Sequence, residues 1–148
     1  MLKGACFCGA VSYIVTGTPT LSAFCHCTNC QRLSGCPFVH TIHFPSSAFT
    51  WTHPAPHEDR LDSYVPPAKP WKTRWRCKSC GACVTSASSK TGNHSVWGAH
   101  LARNEAGKIL NWESVKPTAH IFYETRMLDV KDDLGKWTGY ENTSTRLE

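Results

Sequence analysis

Nine cysteines are set out along this 148-residue chain in an order that few folds can satisfy. Two groups, CFCG (Cys6, Cys8, Gly9) and CKSCG (Cys77, Cys80, Gly81), are close thiol pairs that end on glycine. The third, CHCTNC, holds Cys25, Cys27 and Cys30, and no glycine follows it. A glycine after the second thiol lets the backbone turn with positive φ, so that amide N–H groups can point at sulfur, the chemistry of a zinc knuckle. Two knuckles offer two thiolates each, so Cys6, Cys8, Cys77 and Cys80 are expected to complete one tetrahedral structural zinc site. Such a site would pin the N-terminal strand to mid-chain and couple folding to metal binding. The competing readings are packed free thiols at Cys6 and Cys8 and a redox C-x-x-C at Cys77 and Cys80. Redox pairs open a helix in a βαβ setting, and no such pattern surrounds these residues.

Three thiols in CHCTNC suit a different purpose. Three protein ligands and a vacant fourth position are the arrangement of a catalytic zinc, where water or substrate completes the shell. The alternative is a remote fourth ligand, drawn from Cys36, Cys83 or any of eight histidines, with Cys83 the strongest competitor because it follows Cys80 at C-x-x-C spacing. His26 lies between two ligands and on extended backbone points away from the metal, which places it behind the ligands or at the surface.

The remaining composition narrows the setting. The length suits a single 1–148 domain with a real core, ending in a polar tail over 129–148. No apolar stretch approaches bilayer length, and MLKGACFCGA has no signal-peptide core. The expected setting is therefore a reducing compartment, the cytoplasm first and the nucleus second, where close cysteine pairs are metal ligands rather than disulfides. A net charge of +5 invites a nucleic-acid partner. Seven thiolates around two zinc ions bring it to about +2, however, and the cations are scattered apart from KTRWRCK (72–78), so nucleic acid is not favoured. Around that cluster, PPAKPWKTRW (66–75) could line a pocket for an anionic thiol through Lys69, Lys72, Arg74 or Arg76. The favoured reading is core tryptophan with solvated cations between.

Short β-branched and aromatic runs recur at 10–16, 38–44, 48–52, 95–101 and 119–124, and Val11, Tyr13 and Val15 share a face at period two. Six of the nine prolines lie between Pro45 and Pro70, which predicts a surface loop there. One short helix is expected near 28–35, capped by Thr28 and stopped by Gly35, and a turn at 104–109. The fold class is mainly β with little helix.

The order GACFCGAVSY, CHCTNCQRLSG, CKSCGA, closed by KPTAHIFYETR, resembles the glutathione-dependent formaldehyde-activating enzyme family, which also includes centromere protein V. The resemblance runs from Gly4 to about Arg126. It implies antiparallel sheets folded over one another (a β-tent) and held by zinc. Cys6, Cys8, Cys77 and Cys80 would hold a structural zinc, and Cys25, Cys27 and Cys30 a second, catalytic-type zinc. The implied activity is a carbon–sulfur lyase joining formaldehyde to a small thiol such as glutathione, giving S-hydroxymethylglutathione. The family also implies an alternative, a zinc-scaffolded binding module associated with chromatin or cytoskeleton. Cys36 and Cys83 stand where the family pattern has small or polar residues.

Overall fold

The structure, a computed structural model, describes residues 1–147. Eleven strands form two sheets. The small sheet has the order β1 (Leu2–Ala5), β2 (Ser12–Val15), β5 (Phe49–Trp51). The large sheet runs β11 (Gly135–Lys136), β10 (Ala119–Ile121), β3 (Leu21–Cys25), β4 (Val39–Pro45), β9 (Asn93–Trp97), β8 (Cys83–Ser88), β7 (Lys72–Cys77), β6 (Leu61–Tyr64). Pairing is antiparallel except where β10 lies parallel to β3 and to β11. The mainly β expectation therefore holds, with a parallel edge that the short runs did not foretell.

The proline-rich stretch is not one loop. It supplies β5 and β6, each at the edge of its sheet, the place where proline-flanked strands lose least because one side needs no ladder donors. The helix α1 spans Thr28–Ser34 and ends at Gly35, whose φ of 71° is the left-handed conformation that closes it. Its N-cap is Cys27 rather than Thr28, because the Cys27 sulfur accepts the Cys30 amide at 3.3 Å. A one-turn helix, α2 (Trp112–Val115), precedes β10. The turn at 104–109 closes on an Arg103–Ile109 bridge rather than on two full strands.

The main core lies between the sheets. Val11, just before the small sheet's β2, and Tyr13 and Val15 within it are at most 1% exposed and join Ile42, Phe44, Val84 and Val96 of the large sheet. Gly4 opposes Tyr13 across the small sheet, and a Cβ at Gly4 would fall inside the Tyr13 ring. Gly4→Ala should therefore cost about 1–3 kcal/mol through overpacking, read as a lower urea midpoint at unchanged slope. An unchanged midpoint would show that the ring has room to yield. A smaller cluster on the other face of the large sheet, around Ala23, Cys25, Val39, Ala119 and Ile121, carries the site below.

Candidate metal centres and the face between them

The two knuckles fold alike. Cys6 N–H donates to the Val11 carbonyl and Cys77 N–H to the Ala82 carbonyl, each at 3.0 Å, and Gly9 and Gly81 have φ of 82° and 75°. These turns aim amides at sulfur. Val11 N–H reaches Cys6 Sγ at 3.4 Å. The Ala82 amide leads the effects that hold the Cys80 thiol low, at about 6. At Cys8 the Ala10 amide pulls the same way, but desolvation and hydrogen bonds shared with Cys6, Cys77 and Cys80 push the thiol up to about 11. The four Sγ atoms lie within 4.8 Å of one another, with Cys6–Cys8 at 3.7 Å and Cys8–Cys77 at 3.8 Å. A tetrahedron of sulfurs about 2.3 Å from zinc has edges of about 3.8 Å, so this donor set fits the ion.

Cys25, Cys27 and Cys30 form the second cluster, also within 4.8 Å. Two elements deliver them: Cys25 ends β3, while Cys27 caps α1 and Cys30 lies in its first turn. The expected competitors are elsewhere. No fourth His, Cys, Asp or Glu donor joins this cluster among the described residues, and Cys36 and Cys83 lie outside both sets. Three thiols this close share protons. Hydrogen bonds from Cys25 and Cys30 lead in holding Cys27 down at about 2. The bond that Cys25 gives to Cys27 leads in pushing Cys25 far above the thiol range. Cys30 gains from its bond to Cys25, yet Cys27 and burial raise it to about 11. Three thiol sulfurs this close form a donor set that could hold a metal ion.

Strand register fixes what shares this face. Residues directly opposite one another in a sheet point the same way. From Cys25 the face passes through Ala23 to Thr41 and His43 of β4, to Trp97 and Ser95 of β9, to Ser86 and Ser88 of β8, and to Arg74 and Lys72 of β7. The face thus carries the three thiols at one end and two cations at the other. Cys27 and Cys30 act electrostatically on Lys72, and Arg74 acts on Cys30. The four-cysteine cluster belongs to the opposite side, since Cys6 and Cys77 join the core between the sheets.

A cleft of about 480 Å³ on this face is lined by Leu21, His43, Lys69, Trp71, Lys72 and Tyr140, among others. Trp75 packs on the main core as the sequence suggests, but Lys69, Trp71 and Lys72 line a cleft instead of a plain solvated surface. Tyr140 comes from the polar tail, which folds back through β11; nothing in the tail's composition signals that contact. Leu21 lines the cleft and also packs against the apolar cluster of Ala23, Cys25, Val39, Ala119 and Ile121. Burial, and secondarily the Lys72 charge, hold His43 neutral with its pKa down at about 4, against 6.5 when unfolded. Its contribution to stability is complete above pH 6.5 and is lost as pH falls toward 4, because the unfolded chain takes up the proton first. In His43→Gln, the slope of unfolding free energy across that window should fall by up to one proton, about 1.4 kcal/mol per pH unit. Urea titrations at several pH values read it, and parallel wild-type and variant curves would contradict it.

His26 is fully buried rather than exposed, and its ring Nε2 lies 2.8 Å from His120 Nδ1.

A family model described as glutathione-dependent formaldehyde-activating enzyme matches residues 1–125. A search of curated proteins gives no match. Among solved structures, a Rhodobacter sphaeroides protein is similar with a TM-score of 0.52 and 23% identity, over 72% of this chain and 96% of its own, a likeness of fold.

Proposed function

Because the chain belongs to the glutathione-dependent formaldehyde-activating enzyme family, we propose that it joins a small anionic thiol to an aldehyde, with Cys25, Cys27 and Cys30 holding a zinc ion that has one open position. The observation that carries this reading is a cluster of three thiols with no fourth donor among the described residues, on the same sheet face as Lys72 and Arg74. Zinc held there supplies a place where an incoming thiol loses its proton at neutral pH. The four-cysteine set is assigned a second, structural zinc.

The chain's own residues do the rest. Lys69, Lys72 and Arg74 are the cations that attract and orient the carboxylates of a substrate such as glutathione. Trp71 and Tyr140 wall the cleft that Lys69 and Lys72 line. In the forward direction the thiolate sulfur adds to the aldehyde carbon, and the carbonyl π pair moves to oxygen, which takes a proton. The reverse reaction breaks that carbon–sulfur bond, so the chemistry is of lyase type and needs neither oxidant nor reductant.

The test is exchange between glutathione and formaldehyde, followed by NMR with protein purified with its metal. The exchange rate should rise in proportion to protein and return to its uncatalysed value after metal removal. A rate that stays constant across a wide range of protein would sink the proposal and favour a zinc-scaffolded binding module. Substrate binding by charge makes a separate prediction. The double variant Lys72→Met/Arg74→Met should raise KM about tenfold or more with kcat changed little, since these cations hold substrate and transition state alike. A fall in kcat at constant KM would place them at the reacting atoms instead.

A further inference from the structure

Behind the three-cysteine loop runs a chain of four polar side chains, reaching from an exposed carboxylate into the interior. Lys136 Nζ donates to Asp132 Oδ1 at 2.9 Å. Asp132 Oδ2 lies 2.7 Å from His120 Nε2, and His120 Nδ1 lies 2.8 Å from His26 Nε2. Both histidines are 0% exposed and Lys136 is 2% exposed. The chain ends at His26 Nδ1, which is buried and has no hydrogen-bond partner among the described residues. Phe38 stacks on the His26 ring at 4.6 Å and Tyr123 meets it edge-on at 5.0 Å.

The carboxylate sets the protons along this chain. Burial opposes the ionisation of Asp132, but hydrogen bonds led by His120 and then Lys136 outweigh it and hold the group near 2, so it is an acceptor only. His120 Nε2 must therefore carry a hydrogen. With its hydrogen on Nε2, His120 accepts at Nδ1, so that His26 Nε2 donates and His26 Nδ1 is left as a bare lone pair. That is the cheaper way to end the chain, because an unmade N–H in an apolar surrounding costs more than an unused acceptor.

The rest of His26 is fixed from the same quarter. Its amide donates to the Ile121 carbonyl at 3.0 Å, and its carbonyl accepts from Gln31 Nε2 at 2.8 Å and Thr125 Oγ1 at 2.9 Å. His26 stands between Cys25 and Cys27, so its ring and backbone together orient both. We propose that Asp132 is a positioning residue for the three-cysteine centre: through the tautomers of His120 and His26 it fixes the segment that carries Cys25 and Cys27. This rests on reading those cysteines as a metal site. Asp132 and Lys136 lie beyond the residues that the family model matches.

The test compares Asp132→Asn with Lys136→Met in protein loaded with two zinc ions. Asparagine can donate to His120 Nε2, which reverses both tautomers and leaves a buried His26 Nδ1–H without a partner. Long-range proton–nitrogen NMR of the imidazoles should show His26 and His120 as Nε2–H forms in wild type and Nδ1–H forms in Asp132→Asn. A chromophoric chelator should then take the metal of the three-cysteine site about 10–100-fold faster, the size of effect that supporting residues have around metals, with the four-cysteine metal unchanged. Lys136→Met keeps the carboxylate and should keep both tautomers and both release rates near wild type, whatever it does to stability. Unchanged tautomers in Asp132→Asn, unchanged release, or equal acceleration in Lys136→Met would each overturn the proposal. A wild-type protein that holds a single zinc overturns the metal reading together with it, whereas two zincs released from Asp132→Asn at wild-type rates overturn this proposal alone.

Discussion

In Cys77→Ser the cooperative thermal transition is expected to vanish, and the chain to hold at most one zinc. The four sulfurs sit at tetrahedral spacing, and a structural zinc of this kind contributes about 10–16 kcal/mol of apparent binding energy at neutral pH. A domain of this size has about 5–15 kcal/mol of stability in all, so a zinc ion bound there would contribute as much as the whole. Cys77 is 1% exposed in the core between the sheets, and no neighbouring donor can take its place among the described residues. Its loss unties the N-terminal knuckle from β7 as well. Circular dichroism on heating, with zinc counted by elemental analysis, gives the answer. A Cys77→Ser protein that melts cooperatively within a few degrees of wild type would show that packing alone holds the sheets together.

Cys30→Ser should do the opposite: keep the fold, lose one zinc of two, and lower the glutathione–formaldehyde exchange rate more than about 100-fold, the upper range found even for residues that merely support a metal. The choice of Cys30 follows from what each thiol does besides. Cys25 is 4% exposed at the end of β3, and Cys27 caps α1, so changing either disturbs packing or the helix. Cys30 is half-buried and has no capping duty, and serine in the first turn of a helix is tolerated. The cooperative melting transition should therefore persist, lowered chiefly by the loss of the bound zinc. Retention of both zincs, or of the rate, would remove this cluster from the chemistry.

The cysteine sets were legible because their signals are local. Gly9 and Gly81 announce knuckles within one turn of the thiols they follow, and the missing glycine after Cys30 marks the third group as different. Alternation made Val11, Tyr13 and Val15 a core face for the same reason, since period two needs no knowledge of the partner. What stayed hidden depends on contacts made across the fold. His26 and His120 are 94 positions apart, and nothing at either end of that interval names the other. Lys136 sits in a polar tail whose composition argues for solvent, yet the ion pair with Asp132 allows it to be buried. The cations of β7 looked solvated because their common face becomes visible only once register across β4, β9 and β8 is known.

The span between the two knuckles also has a meaning in time. Cys8 and Cys77 are 69 positions apart, and at about 5–20 residues per second a ribosome takes roughly 4–14 s to add the second pair after the first. Through that interval Cys6 and Cys8 are free thiols on a nascent chain, with nothing to clamp. The CHCTNC group is made early in the same interval, with its three sulfurs inside six residues of sequence. A chain at that stage has its three-cysteine group and only half of its four-cysteine set, so the pair that joins the two ends of the interval is the last to be made.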